Sequence, residues 1–131
     1  MMGKLSEKVL EAVLETIPLE ISVLDEKDKV LAWNKHETRT FKRPLTVIGR
    51  DVRDCHPKKS VYKVEQILRE MKEGTSDKAQ FWIDLNIGGS PQKMLIEYYA
   101  LRLNGEYVGC LEASQNITEI QTLKGEKRLL E

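Results

Sequence analysis

Hydrophobic positions near the start of the chain recur at helical spacing. Leu5, Val9, Ala12, Val13 and Ile17 fall on one side, and Glu11 and Glu15 fall on the other. Ser6 is placed to cap this helix, Glu7 suits its first turn, and Pro18 stops it after Ile17. An amphipathic helix of this kind must cover a surface, in its own domain or on a second copy. The period then changes. Glu20 to Asp25 and Lys29 to Asn34 are β-rich runs separated by Glu26-Lys27-Asp28, which predicts a hairpin. Lys35 to Pro57 has no clear period and holds Pro44, Gly49 and Pro57, so short helical turns and loops are expected. A helix follows, with Ser60 as its expected cap. Its apolar face is Val61, Val64, Ile67, Leu68 and Met71, and Gly74 ends it.

Three strands come next. Phe81, Ile83, Leu85 and Ile87 alternate with Trp82, Asp84 and Asn86, and Gly88-Gly89 makes a turn. Met94 to Leu103 is apolar on both faces, which predicts a strand covered on both sides. Asn104-Gly105 is a two-residue hairpin signal, and Tyr107 to Ser114 is the last strand. Thr118-Glu119-Ile120-Gln121 fits a capping box that would open a final helix, with Leu123, Leu129 and Leu130 facing a partner. Strands grouped at each end and joined by hairpins predict an antiparallel sheet. A central helical segment crosses one face, making an α+β domain.

Composition narrows the function. The chain has 131 residues, 21 Lys and Arg against 21 Asp and Glu, and a net charge of zero. This length fits one domain with a real core. Zero net charge argues against a globally basic nucleic-acid binder, so no nucleic-acid partner is expected. No apolar run approaches the roughly 18–20 residues of a membrane span, and the charged start is unlike a signal peptide. Cys55 and Cys110 form no zinc spacing. The expected setting is therefore the cytoplasm, with no membrane partner. The neutrality is uneven. From Lys35 to Lys63 there are nine basic residues and three acids, a local excess of +6 balanced by −6 elsewhere.

The order of elements and three local segments resemble a PAS domain, from about Leu14 to Glu126. Val23 to Lys35 (VLDEKDKVLAWNK) is similar to its opening hairpin. Val47 to Asp54 (VIGRDVRD) is similar to the segment before its long helix. Gln115 to Ile120 (QNITEI) is similar to its D-I-T-E ending, with Asn116 in place of Asp. The stretch VIGRDVRDCHPKKSVYKVEQIL resembles one branch more closely, the PAS modules that lie C-terminal to hemerythrin-like domains in bacterial and archaeal proteins. No His-rich metal-binding helix of a hemerythrin domain is present in the sequence. The resemblance implies a five-stranded antiparallel sheet of order 2-1-5-4-3 with helices on one face and amphipathic helices at both termini. The expected division is an N-terminal amphipathic helix over 1–17, the PAS domain over 18–118 and a C-terminal helix over 119–131.

It also implies where a ligand would lie, between sheet and central helices. The candidate lining is Trp33, Val52, Val64, Leu68, Phe81, Ile83, Ile96 and Tyr98, although apolar residues of this kind also simply fill cores. Arg50 and Arg53, in the basic segment, are the bidentate candidates for an anionic small molecule. Flavin-thiol photochemistry is disfavoured. Val52 stands where that branch of the family has its reactive Cys, and Ser114 stands where it has its Gln. Haem ligation from the long helix is disfavoured because no His lies between Pro57 and Gly74. Cys55-His56 leaves a metal, haem or redox alternative, the thiol lowered in pKa at a helix N-terminus. No nucleophile, base and orienting group come together, so no enzyme is expected. The function implied is a non-catalytic sensory module that binds a small ligand or partner and forms a homodimer through its terminal helices. A ligand-free dimerisation scaffold is the alternative.

Overall fold

A computed structural model describes residues 1–130. Helix α1 (Glu7–Thr16) is followed by β1 (Glu20–Asp25) and β2 (Val30–Trp33). Two 3-10 turns, Leu45–Val47 and Val52–Cys55, lead into α2 (Lys58–Glu73). Strands β3 (Lys78–Ile87), β4 (Ser90–Leu103) and β5 (Glu106–Asn116) complete one antiparallel sheet of order β2-β1-β5-β4-β3.

Local chemistry explains most boundaries. The Ser6 hydroxyl accepts the Val9 N–H at 3.2 Å and caps α1. In the first hairpin, Asp25 Oδ1 accepts the N–H groups of Lys27 and Lys29, both at 2.9 Å. Asp28 takes the left-handed conformation, φ 65°, which short polar side chains tolerate. Asn104 and Gly105 both have positive φ, 52° and 80°, as a two-residue primed turn requires. Gly74, left-handed, ends α2. Helix α2 begins before Ser60. Pro57 is the capping position, its carbonyl accepts the Ser60 N–H at 2.8 Å, and Ser60 lies inside the first turn.

The core lies between α2 and the inner face of the sheet. Val64, Leu68 and Met71 of α2 pack against Leu24, Val30, Ile96, Tyr98 and Cys110, with Val52 from the second 3-10 turn. Removing this apolar surface from water is what clamps helix to sheet. Strand β4 is not covered on both sides. Met94, Ile96 and Tyr98 are buried, whereas the alternating Leu95, Tyr99 and Leu101 are half-exposed. On β3, Ile83 and Leu85 are half-buried, while Phe81 and Ile87 stay largely exposed.

The expected C-terminal helix over 119–131 is replaced by a single 3-10 turn, Ile120–Thr122. Thr118 does not cap it. Its hydroxyl accepts the Lys93 N–H at 2.8 Å, and the Ile117 N–H donates to the Lys93 carbonyl at 2.8 Å, so the chain stays attached to β4. Beyond that point Gly125 has a positive φ, and Leu123, Leu129 and Leu130 are exposed. A short helix with nothing to pack on has little to hold it. Glu131, the last residue of that expected helix, lies outside the described residues.

Candidate functional site

The sheet and α2 part toward one end and leave a partly open pocket of ≈ 950 Å³. Phe81, Ile83, Ile96 and Tyr98 form the sheet wall, and Ser60, Lys63, Val64 and Ile67 form the helix wall. Thr40 to Arg43 and Cys55 to Pro57 frame the mouth, and Glu112 reaches in from β5. The volume suits a small organic ligand.

The mouth is held by buried polar groups. Glu20 at the start of β1 accepts the N–H of Thr40 at 2.8 Å and of Phe41 at 3.0 Å. Arg39 is buried, and its guanidinium donates to the carbonyls of Phe41 (2.9 Å), Ile21 (3.0 Å) and Asn34 (3.1 Å). Burial lowers the Arg39 pKa, with Glu20 acting against that shift. These bonds position the next residues. Arg43 Nη2 meets Glu112 Oε2 at 3.2 Å, with side chains only 11% and 15% exposed. Arg43 Nε is buried with no hydrogen-bond partner among the described residues. Tyr98 stacks against Phe81 at 6.0 Å between centroids. Burial, with Glu112 nearby, pushes the Tyr98 phenol well above its ordinary range.

Five of the expected lining residues meet here: Val64, Phe81, Ile83, Ile96 and Tyr98. Five others lie elsewhere. Leu68 and Val52 are 1% exposed and sit in the closed core. Trp33 packs against that core and donates its indole N–H to His36 Nδ1 at 3.0 Å. Arg50 is exposed and faces Asp54 at 3.8 Å. Arg53 is taken up by Asp51 (3.0 Å), Asp28 (3.1 Å) and Glu65 (2.9 Å), so its fork has acids already. Much of the basic excess between Lys35 and Lys63 is neutralised in the same way, by Glu20, Asp28, Glu65 and Glu112 from outside the segment.

Cys55 and His56 stand at the pocket mouth. Cys55 ends a 3-10 turn rather than opening a helix, and burial raises its pKa. The expected lowering of this thiol is therefore reversed, because burial desolvates the group. His56 Nδ1 lies 3.1 Å from the Val52 carbonyl. Among the described residues no three or more His, Cys, Asp or Glu side chains come together as a metal site would need.

Phe41, Arg43, Ile67 and Glu112 were not among the expected lining. Glu112 had a legible signal, since it alternates with Cys110 and Ser114 on the inward face of β5. Ile67 sits one turn beyond Val64 on the helix face. Arg43 lies in the stretch without periodicity and had no such signal.

Comparison with known proteins places this geometry. A family model described as PAS domain matches residues 10–118. Among solved structures, a C-terminal domain from Streptococcus mutans superposes with TM-score 0.86 at 29% identity, covering 95% of this chain and 94% of that one. The PAS domain of a protein from Colwellia psychrerythraea superposes with TM-score 0.61 at 20% identity, covering 86% of this chain and 97% of that one. The PAS domain of Bordetella pertussis BvgS gives TM-score 0.56 at 20% identity, covering 87% and 86%. No curated protein matches.

Proposed function

The chain belongs to the PAS domain family, and from that premise we propose that it is a non-catalytic sensory module. In this reading a small molecule enters the pocket beside α2, and its presence is passed to α1. One observation carries the reading: a continuous hydrogen-bonded path joins the pocket mouth to the terminal helix. Thr40 and Phe41 at the mouth are held by Glu20, and Phe41 is also held by Arg39. Arg39 donates to the carbonyl of Asn34, whose carboxamide donates to the Leu14 carbonyl at 2.6 Å and the Leu19 carbonyl at 2.9 Å. A ligand that shifts the mouth favours one seating of α1 over another, which is a population shift.

The second half of the proposal is a homodimer through α1. This helix has no buried residue, and Leu5, Val9, Leu10, Val13 and Leu14 are 39–47% exposed. An apolar groove runs along one flank, past Val9, Ala12, Val13 and Ile17. A helix with this much open apolar surface is completed by a partner, and a second copy supplies the same stripe. The C-terminal segment, which holds a single 3-10 turn among the described residues, takes no part. No helix among the described residues is long and apolar enough to cross a membrane.

Two measurements test this. Mass spectrometry of protein purified natively and then denatured is expected to release a small molecule at stoichiometric amount. A clean spectrum, with no binding by small probes, leaves the ligand-free scaffold. Light scattering behind size exclusion is expected to give twice the chain mass, and Val13→Glu is expected to give the monomer. A monomeric wild type at high concentration removes the dimer.

A further inference from the structure

Resting on the reading that this pocket takes a ligand, we infer that the ligand is an anionic amphiphile. Its apolar body lies along the sheet wall, and its carboxylate or similar anion stays at the mouth beside Lys42 and Lys63. The apolar part of the lining is Phe41, Ile67, Phe81, Ile83 and Ile96. Phe81 is 38% exposed, and Phe41 and Ile67 are half-buried, so this wall offers surface that an apolar body would take out of water. The charged part of the lining is three cations, Lys42, Arg43 and Lys63, against one acid, Glu112, which leaves +2 with His56 neutral. Arg43 and Glu112 are taken up by each other at 3.2 Å. With side chains 11% and 15% exposed, they fix the wall and stand back from a ligand. The excess is therefore carried by the two lysines, which are exposed. Neither forms an ion pair among the described residues. Lys42 donates to the neutral carbonyl of Glu37 at 2.9 Å, and Lys63 lies 5.9 Å from the centre of the Tyr62 ring.

The other polar groups of the lining agree with that sign or leave it open. The hydroxyls of Thr40 and Ser60 donate to a carboxylate as readily as to a neutral acceptor, and the Cys55 thiol does so more weakly. His56 has Nδ1 3.1 Å from the Val52 carbonyl, an arrangement in which that nitrogen is the donor, so the ring is neutral or, once protonated, a further cation. Tyr98 is 3% exposed and belongs to the sheet wall. The start of α2 adds to the same sign. It begins beside the mouth at Pro57 with no side-chain cap and no acid in its first turn, and carries Lys58 and Lys59 there instead. Lysines at that end oppose the helix dipole, where an acid is normally favoured, and an anion at the mouth compensates them. An ammonium would bring one more cation beside the lysines. A hydrophilic anion would leave Phe81 and Ile83 in water. Desolvation fixes which end goes where. A charge pushed against the sheet wall would lose its water and meet the closed pair, whereas at the mouth it keeps water and faces both lysines.

Four probes separate these cases: phenylpropionate, phenylpropionamide, phenylpropylamine and propionate. Each is titrated into the full chain at neutral pH in about 20 mM salt, and dissociation constants are read from NMR shifts of the Ile67, Ile83 and Ile96 methyl groups. Phenylpropionate is expected to bind most tightly, with the amide about tenfold weaker and the amine weaker still. Propionate, which keeps the charge and lacks the ring, is expected to be weaker by about tenfold or more. Salt at about 0.5 M is expected to remove most of the advantage of phenylpropionate over its amide. Lys42→Gln together with Lys63→Gln is expected to remove it at low salt, and both side chains are exposed, so the fold does not depend on them. The wild-type ranking and its salt dependence stand without that variant. The amide or the amine binding as well as phenylpropionate overturns the anionic class while leaving the pocket a ligand site. Propionate binding as well overturns the apolar body. A carboxylate preference that survives both substitutions overturns the role of the lysines. If no probe at millimolar concentration moves a lining resonance, the ligand-binding reading falls, and this inference falls with it.

Discussion

The carboxamide nitrogen of Asn34 donates to the carbonyl of Leu14 at 2.6 Å, and this bond ties the terminal helix to the hairpin. The same side chain donates to Leu19 O and accepts the Ile21 N–H at 2.8 Å, while the residue is 3% exposed. Three backbone groups thus depend on one amide, and α1, which has no buried residue, is held besides by exposed bonds from Lys35 to Glu15. Asn34→Ala is expected to cost about 1–3 kcal/mol, the range for buried polar groups left without partners. Urea unfolding measures the loss. Amide exchange in α1 is expected to rise first, since its anchor is gone.

Asp28 does similar work at the other end of the hairpin. Its Oδ2 accepts from Arg53 at 3.1 Å and from Lys72 at 2.8 Å, joining the hairpin turn to the second 3-10 turn and to α2. Asp28→Asn keeps a residue that tolerates the left-handed backbone, removes the charge and turns one acceptor oxygen into a donor. A loss of about 1–2 kcal/mol is expected, because both cations are partly exposed and regain water. Stability equal to wild type would show that shape alone holds this junction.

Acid is expected to weaken the same junction through Asp51. Burial acts to raise its pKa, but hydrogen bonds from the Arg53 backbone and guanidinium outweigh it, and the net shift is downward from 3.8. A carboxyl lowered in the folded state stabilises above its unfolded value and loses that contribution as pH falls through the folded value. Unfolding midpoints are therefore expected to begin falling once the pH drops below about 4. Asp51→Asn is expected to flatten that part of the profile.

The two thiols are expected to react at different rates and both slowly. Cys110 is 0% exposed and burial pushes it up to about 12, while Cys55 is half-buried with its pKa above the ordinary 9.0. Iodoacetamide at neutral pH should label Cys55 slowly and Cys110 only on unfolding, with the Cys55 rate still climbing above pH 9. Rapid labelling of Cys55 at pH 7 would restore a redox role for this thiol.

Gly109 is required by a neighbour rather than by a turn. It pairs with Asp25 across β1, and a Cβ built there collides with the carbonyl oxygen of Leu24. The obstacle is backbone, so it does not swing away. Gly109→Ala is expected to cost about 1–3 kcal/mol, as overpacking does. Gly105→Ala, strained only in its backbone angle with open space around it, is the control for the collision.

The sequence by itself determined what nearest neighbours determine. Hydrophobic period decided the type of each main element, and Asn104-Gly105 and Gly74 marked ends, because backbone conformation at those positions is a local property. The same local logic failed for the C-terminal helix. Thr118 had a better acceptor role toward Lys93, 25 residues away in the chain, than as a cap. Tertiary structure alone decided the pocket's polar anchor. Arg43 and Glu112 are 69 residues apart, and no period in the chain couples them. They meet because β5 pairs with β1 and β4 in a register that turns Glu112 inward beside Tyr98, while Glu20 and Arg39 hold the segment before Arg43 against that face. The basic excess around Lys35 to Lys63 has the same history. Read along the chain it is +6, but folding brings acids from β1, α2 and β5 onto it. Charge interacts through space, whatever the order of residues, and only the folded register shows what each charge faces.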